Sequence, residues 1–320
     1  MKKHALLSLG LLFMIVSTLS GCGVKEESPL KGKIKIGIML SDVGLGDQSF
    51  SDAAFTGLVK ARDELGVIVN YRELQETKTY EAGLRQLIEE ENDIIIGLGF
   101  MVQEDMEKVA KEYPKRTFLL VDSVSDIENV TSLIFKEDEG SYLAGIAAAL
   151  ATETETVGFV GGDDVPLIHK FADGFEKGVK SINPDIKIIT KYAGNFGDDE
   201  LGTKLAKEMI SNKSDVLYAA AGLTGIGVLK EAEKQNVYAI GVDSDQYYFA
   251  EKAVITSMIK NVDTALFDIV KEYTNTKKLP SNSIELGLKE NGVGLAPIRV
   301  IPFAEKDMQI IEDAKSKLAN

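Results

Sequence analysis

The fold is decided by residues 35–97, KIGIMLSDVGLGDQSFSDAAFTGLVKARDELGVIVNYRELQETKTYEAGLRQLIEEENDIIIG. Short runs of β-branched residues alternate in this stretch with helix-like segments: strands at 35–40, 67–71 and 93–97, helices at 52–65 and 80–90. Such alternation predicts parallel strands that are joined by right-handed helical crossovers.

The same alternation continues through the rest of the chain. Further strands are predicted at 117–121, 156–160, 186–190, 215–219 and 238–242. About four strands thus precede residue 125 and four lie between 155 and 245, which predicts an α/β protein with two doubly wound lobes. The length supports this prediction, because roughly 290 residues are too many for one compact core.

The N terminus has the pattern of an export signal. Lys2 and Lys3 give a positive start, residues 5–19 are almost entirely apolar, and Leu19-Ser-Gly-Cys22 closes the run with small residues and a cysteine. We expect residues 1–21 to be a lipoprotein signal peptide that is cleaved before Cys22. The alternative of an uncleaved membrane anchor is less favoured, because the apolar run is shorter than the roughly 20 residues that a spanning helix needs.

Cys22 is the single cysteine of the chain. This count excludes an internal disulfide and a cysteine zinc cluster, so the expected role of Cys22 is to carry lipid, with palmitate among its acyl chains. Residues 22–33 are polar, contain Gly and Pro and lack periodicity, and they are predicted to be a lipid-anchored tether.

The charge of the expected mature chain is strongly acidic. Two lysines lie in residues 1–21, which leaves 34 Lys and Arg against 50 Asp and Glu, a formal charge of −16. An acidic body repels phosphate backbones and anionic headgroups, so we expect no nucleic-acid partner. After residue 22 no further apolar stretch approaches spanning length, and we expect a soluble body that faces outward and contacts the cell membrane only through Cys22.

Glycine, acidic and aromatic residues follow strand after strand. Ligands of doubly wound sheets bind beyond the carboxyl ends of the strands, so these residues are candidates for a ligand site. Gly and Asp are also common in turns, and any one of them alone can be structural. The set consists of Ser41-Asp42, Gly99-Phe100-Met101, Asp122-Ser123, 161–164, 193–196, 221–225 and 243–245.

Four residues near strand ends can be interpreted one by one. Asp42 can accept hydroxyl hydrogen bonds and Phe50 can stack on a flat ring, although Phe50 could instead be a hydrophobic staple. For Asp47 a helix cap is favoured. Lys260 ends a strand-like run, where it can point to water or, in a cleft, balance carboxylates that could not otherwise share a buried site.

The residues needed for catalysis are not assembled in the sequence. Gly161-Gly162 lacks the Lys-Ser or Lys-Thr pair of a phosphate loop, and no complete GxGxxG follows the first strand. After processing, His169 is the one remaining histidine, and its place at a predicted helix start favours a surface or hinge position. The acid pairs 163–164 and 198–199 are interpreted as solvated loop ends. We expect no enzyme activity, no cofactor and no metal.

The chain resembles the basic membrane protein family, which comprises lipid-anchored substrate-binding proteins of ABC transporters that take up purine nucleosides. The resemblance extends from about Lys35 to Ile301. It is carried by GLGFMVQE (97–104), VDSV (121–124), the run 158–188 with PLIHKF, AAAGLTGIGV (219–228), YAIGVDSDQ (238–246) and VITSMIKNVD (254–263). It implies a type I periplasmic-binding-protein fold, in which two Rossmann-like lobes are joined by a three-crossover hinge, and an ABC transporter permease as partner.

The resemblance also implies roles for single residues. Acidic residues would hold ribose hydroxyls or base nitrogens, Phe50 would stack on the purine, and Lys260 would lie near the ribose. Phe196 is the candidate for the second face of the base, and Gly222 lies in a glycine-rich loop. The expected ligand-binding set is Asp42, Phe50, Met101, Asp122, Phe196, Gly222, Asp243 and Lys260.

Two departures from the family pattern leave the preferred base open. The first loop is one residue shorter than the usual Asp-Asp-x-Ser-Phe form, and Leu223 stands where glycine is common. The alternatives are a sugar or autoinducer receptor of the same fold and a surface nucleoside hydrolase or phosphorylase. The export signal and the lack of a DNA-binding head exclude a transcription regulator.

We also predict how the chain is divided between the two lobes. We expect residues 34–137 plus 247–278 in the first lobe and residues 138–246 plus 279–320 in the second. The chain would then cross between the lobes three times.

Overall fold

Strands and helices alternate along the chain in a computed structural model that describes residues 32–280 and 282–320. The predicted signal peptide, the lipid site at Cys22 and most of the 22–33 tether lie outside the described residues. Ile34–Asn320 forms one compact unit that contains both sheets.

Twelve strands occur in the described residues. They are β1 (Lys35–Met39), β2 (Ile68–Arg72), β3 (Ile94–Leu98), β4 (Thr117–Val121), β5 (Val130–Phe135), β6 (Thr156–Gly161), β7 (Lys187–Tyr192), β8 (Val216–Ala220), β9 (Tyr238–Asp243), β10 (Val254–Lys260), β11 (Ser283–Leu286) and β12 (Val293–Leu295).

Ten α-helices lie between and after the strands in the same residues. They are α1 (Phe50–Leu65), α2 (Leu74–Thr77), α3 (Tyr80–Glu89), α4 (Gln103–Glu112), α5 (Glu137–Ala151), α6 (Pro166–Ile182), α7 (Asp199–Ser211), α8 (Gly222–Lys234), α9 (Val262–Thr276) and α10 (Glu305–Ala319).

The strands form two sheets of the same construction. The first has the order β11-β5-β4-β3-β1-β2 and the second β12-β10-β9-β8-β6-β7. All pairs are parallel except β12 with β10. Both sheets reverse direction of winding beside their first strand, as doubly wound sheets do. The predicted α/β architecture of two lobes is confirmed, and each of the eight predicted strands lies within about two residues of its predicted position.

The inner strands are apolar along their whole length. All five residues of β3 and all five of β8 are buried. Helices cover both faces of a parallel sheet, so such a strand meets no water on either side and needs no polar alternation.

The strand pairing corrects the expected lobe boundaries in two places. β10 pairs with β9 in the second sheet, although 247–278 was expected in the first lobe. β11 pairs with β5 in the first sheet, although 279–320 was expected in the second lobe. The reason is that β10 and β11 each pair with the strand that has a free edge, β9 in the second sheet and β5 in the first. The boundaries elsewhere stay a prediction.

The chain passes between the sheets three times. It leaves the first sheet after β5, returns from β10 to β11, and leaves again from β11 to β12. Helix α9 packs against α1 of the first lobe, and α10 packs against α5.

Helices α5 and α6 touch through their backbones. A Cβ atom at Gly145 would lie 2.2 Å from the carbonyl oxygen of Phe175, and one at Gly178 would lie 2.1 Å from that of Tyr142. The absence of side chains at these positions lets the two helices approach closely. α5 is therefore fixed to the second lobe.

None of the helices in residues 32–280 and 282–320 combines the length and the apolar character that crossing a membrane requires.

We predict that Gly178→Ala destabilises the protein. The added methyl group must push α5 and α6 apart, and overpacking of this kind costs about 1–3 kcal/mol. Urea unfolding should show the loss. The matched control is Gly294→Ala in β12, where nothing lies within 4 Å of the new Cβ atom. Equal stability of the two variants would contradict the close contact.

Candidate functional site

A cavity lies where the carboxyl ends of the two sheets meet. It has about 690 Å³ of space, its open mouth included, and residues of both lobes line it. The structure brings together all eight residues of the predicted ligand site in this lining: Asp42, Phe50, Met101, Asp122, Phe196, Gly222, Asp243 and Lys260.

Four of these residues come from the first lobe. Asp42 lies in the loop after β1, and Phe50 is the first residue of α1. Met101 lies in a short 3₁₀ turn after β3, and Asp122 follows β4 directly. All four therefore stand beyond strand ends, where a doubly wound sheet presents its loops to a ligand.

The other four come from the second lobe. Phe196 lies in the loop between β7 and α7, and Gly222 begins α8. Asp243 is the last residue of β9, and Lys260 is the last residue of β10. The two lobes thus present equivalent loops to one space.

Lys260 is a buried cation between two carboxylates. Its Nζ atom lies 2.6 Å from Oδ2 of Asp122 and 3.0 Å from Oε1 of Glu137. Lys260 is 2% exposed and Glu137 is fully buried, so neither charge can be solvated by bulk water. A buried charge is tolerated only when it is paired, and the pairing here is mutual.

Aromatic rings enclose the same ammonium group. Nζ of Lys260 lies 5.1 Å from the ring centroids of both Phe50 and Phe135, and 5.7 Å from that of Phe171. Cations attract the faces of such rings, most strongly where water is excluded.

Burial and charge act in opposite directions in this cluster. Burial opposes the charge of Lys260, but the carboxylates of Asp122, Glu137 and Asp243 raise the pKa of Lys260 above its ordinary value. Burial raises the pKa of Asp122 to about 6, although Lys260 acts to lower it. The pKa of Asp243 is also raised by burial, against the effects of Lys260 and Ser49. A second ammonium group, that of the half-exposed Lys170, lies 3.5 Å from Oε2 of Glu137 and adds to the positive charge that faces the three carboxylates.

Asp122 and Asp243 share an unusual backbone conformation. Their φ angles are +64° and +63°, in the left-handed region, where Asp is among the few residues other than Gly that are tolerated. Oδ1 of Asp122 is buried and accepts no hydrogen bond from any described residue. Asp122 thus contributes to the cavity lining and keeps one acceptor atom without a donor among the described residues.

The two lobes also bond directly beside the cavity. Oγ of Ser49 donates to Oδ2 of Asp243 at 2.5 Å, and Nε2 of Gln246 donates to the carbonyl oxygen of Gln48 at 3.1 Å. The first pair orients the carboxylate of Asp243 from the opposite lobe.

Phe50, Phe171 and Phe196 form apolar walls. The ring of Phe196 packs closely against Gly162, where a Cβ atom would be only 2.1 Å from the ring. The chain contains no Trp, so phenyl rings are the large apolar surfaces of the cavity.

Two further sequence interpretations can be compared with the structure. Asp47 accepts hydrogen bonds from the backbone N–H groups of Ser49 and Ser51 at the start of α1, so its predicted capping role is confirmed. Nε2 of His169 lies 2.6 Å from Oδ1 of the exposed Asp164, and neither residue lines the cavity.

Sequence analysis missed Glu137, Ser49 and Phe171. Glu137 begins α5 directly after β5, and recognition of β5 would have placed it beside a strand end. Phe171 lies in the PLIHKF run, whose apolar residues at helical spacing were available as a signal. Nothing local to Ser49 signals its bond to the other lobe.

No group of three or more His, Cys, Asp or Glu side chains within residues 32–280 and 282–320 could hold a metal ion. Among the residues that the structure describes, Lys260 is the one basic side chain in the cavity lining.

We predict that Asp122 makes stability depend on pH. Its pKa rises from 3.8 to about 6 on folding, so the native state binds the proton more tightly. The resulting stability is fully present below pH 3.8 and is lost as the pH rises through about 6, a change on the order of 3 kcal/mol. The stability of wild type relative to Asp122→Asn should therefore be greater at pH 4.5 than at pH 7.5.

Urea unfolding of both proteins at the two pH values measures this difference. Asn suits the variant because it tolerates a positive φ angle. Asp126→Asn, at an exposed position, is the control and should change with pH as wild type does. An unchanged difference between wild type and Asp122→Asn at the two pH values would refute the prediction.

Comparison with known proteins gives consistent matches over nearly the whole chain. The Bmp family model, described as ABC transporter substrate-binding protein PnrA-like, matches residues 33–320. The "ABC transporter nucleoside-binding protein BmpA" of Lactococcus lactis subsp. cremoris is 34% identical over 92% of each chain. "Basic membrane protein D" of Borreliella burgdorferi is 32% identical over 88% of this chain and 84% of its own.

Solved structures agree with the fold. The crystal structure of an ABC transporter solute-binding protein from Aeropyrum pernix K1 has a TM-score of 0.82 and 29% identity, and the match covers 89% of this chain and 91% of that one. The fold, the site at the strand ends and the family match lead to one conclusion: this chain belongs to the Bmp family of PnrA-like ABC transporter substrate-binding proteins.

Proposed function

We propose that this protein is a lipid-anchored receptor that captures purine nucleosides outside the cell and delivers them to the permease of an ABC transporter. The observation that carries this proposal is the lining of the cavity. It combines carboxylate acceptors from both lobes with phenyl rings.

The acceptors suit the hydroxyl groups of a ribose. Oδ1 of Asp122 lacks a donor among the described residues, and the carboxylate of Asp243 stands on the opposite lobe. A ribose between them can donate to both, and hydrogen bonds to a charged group are stronger than neutral ones. Phe50 and Phe196 offer flat apolar surfaces for a base.

The charge of the cavity favours a nucleoside over a nucleotide. Lys260 is already paired with Asp122 and Glu137, so it cannot serve as a free cation for phosphate. The surrounding carboxylates repel an anion. A neutral ligand rich in hydrogen-bond donors fits this balance.

The proposal includes the location of the protein at the outer face of the cell membrane. The sequence pattern that ends at Cys22 supports a lipid anchor at the outer face of the cell membrane, and two Bmp relatives carry the words "nucleoside-binding" and "membrane protein" in their names. Capture followed by delivery to a permease requires no turnover of the ligand.

We predict that the purified protein binds adenosine, guanosine and inosine in titration calorimetry, and binds the corresponding monophosphates and free ribose far more weakly. The ribose alone lacks a ring to stack, and a phosphate meets unbalanced carboxylates. Saturation by a simple sugar without any response to nucleosides would instead support a sugar receptor. Release of free base during incubation, followed by chromatography, would indicate a hydrolase.

We also predict that Asp243 recognises the ribose by accepting hydrogen bonds from its hydroxyl groups. Asp243→Asn should lower the affinity for adenosine more than tenfold, because a hydrogen bond to a charged acceptor contributes roughly 1.5–3 kcal/mol. It should also reduce the preference for adenosine over 2′-deoxyadenosine and 3′-deoxyadenosine. Phe50→Ala should weaken adenosine and guanosine equally, because stacking is indifferent to the base.

Asp245→Asn is the matched control. Asp245 pairs with Arg299 and does not line the cavity, so this variant should bind as wild type does. The ribose assignment is wrong if Asp243→Asn keeps the affinity of wild type, or still discriminates fully against both deoxynucleosides.

A further inference from the structure

A buried threonine binds the loop that carries Phe196, which is also held by a hydrogen bond from the backbone N–H of Asn195 to the carbonyl oxygen of Gly162. Thr224, the third residue of α8, is fully buried and is not part of the cavity lining. Its backbone N–H donates to the carbonyl oxygen of Phe196 at 3.0 Å. Thr224 thus binds the main chain of the residue whose ring forms a wall of the cavity.

The Thr224 hydroxyl binds the loop on both sides of Phe196. Oγ1 donates to the carbonyl oxygen of Asn195 at 2.9 Å and accepts from the backbone N–H of Asp198 at 2.9 Å. One hydroxyl group therefore uses its donor and an acceptor position to join residues 195 and 198. This arrangement sets the path of the backbone at Phe196.

Thr224 is itself rigidly placed. Helices α7 and α8 touch through their backbones, and a Cβ atom at Gly202 would lie 1.9 Å from the carbonyl oxygen of Thr224. The ring of Phe196 packs against Gly162 on the opposite side of the loop, and this contact leaves the ring little room to move away from Thr224.

We propose that Thr224 is a positioning residue that holds the Phe196 loop, residues 195–198, in the conformation that receives a flat ligand. The proposal rests on the proposed function in so far as the ligand carries a base. Loss of the hydroxyl releases the loop into other conformations, and the apparent affinity falls with the fraction of molecules that keep the competent one.

The test compares two substitutions in the full chain, purified with its anchor in detergent. Thr224→Val keeps the shape of the side chain and removes both hydroxyl hydrogen bonds, whereas Thr224→Ser keeps the hydroxyl. Calorimetry with adenosine should show a loss of roughly five- to thirtyfold for Thr224→Val and less than about twofold for Thr224→Ser.

A double variant separates positioning from a general structural effect. If Thr224 acts through Phe196, then Thr224→Val should cause little further loss in a Phe196→Ala background. An undiminished loss in that background would overturn the proposal, and so would wild-type affinity of Thr224→Val alone.

A spectroscopic measurement keeps the proposal testable without any ligand. The chain has no Trp, so Phe196→Trp introduces a single indole at the loop. Adding Thr224→Val should lower the anisotropy of this indole and raise its quenching by acrylamide, and adding Thr224→Ser should change neither. Identical fluorescence in all three proteins would overturn the proposal, even if no nucleoside binds and the proposed function fails.

If Thr224→Val does not fold, Gly162→Ala tests whether the loop is fixed, through the packing of the Phe196 ring against Gly162. A methyl group there meets the ring of Phe196, so it should displace the indole of the Phe196→Trp protein and change its quenching. Unchanged quenching would count against a fixed loop.

Discussion

The ammonium group of Lys260 forms a buried ion pair that joins the two sheets at the cavity. It stands at the end of β10 in the second sheet, and it pairs with Asp122, which follows β4 of the first. Glu137, its other partner, lies on the first crossover between the sheets. Removal of any one of these charges would leave the others buried without a full set of partners, which is costly in a protein interior. The same ion pair thus lines the cavity and contributes to the connection between the lobes.

The two lobes repeat each other in detail. β4 and β9 hold corresponding places in their sheets, and the same tripeptide spans the end of each strand, Val121-Asp122-Ser123 in one lobe and Val242-Asp243-Ser244 in the other. Both aspartates adopt a positive φ angle, which turns the chain sharply out of the sheet. The same backbone conformation therefore places one carboxylate of each lobe at the cavity. Their partners differ, because Asp122 meets a lysine and Asp243 meets a serine of the opposite lobe.

Much of the fold and of the candidate site could be predicted because the signals are local. Strands that alternate with helices are visible as periodicity, and parallel strands bring their carboxyl ends to one edge, so residues such as Asp122 and Asp243 could be proposed together. β5 was missed because no helix separates it from β4, and the site residue Glu137 was missed with it. The sheet that β11 joins could not be predicted, because that choice depends on which distant strand has a free edge. The bond between Ser49 and Asp243 spans the two lobes and leaves no local signature.

The contact of α5 with α6 determines which lobe Glu137 would follow if the cleft between the lobes opened. Because α5 is locked to the second lobe through its glycines, Glu137 would travel with Lys260. Opening would break the bond from Lys260 to Asp122, together with the hydrogen bonds that join Ser49 to Asp243 and Gln48 to Gln246 across the lobes. Lys260 would then stay paired with Glu137 in both the open and the closed state. Its ion pair with Asp122 would form only in the closed state. Domain motion in this protein would therefore separate one buried ion pair, and the buried lysine would keep Glu137 as its counterion.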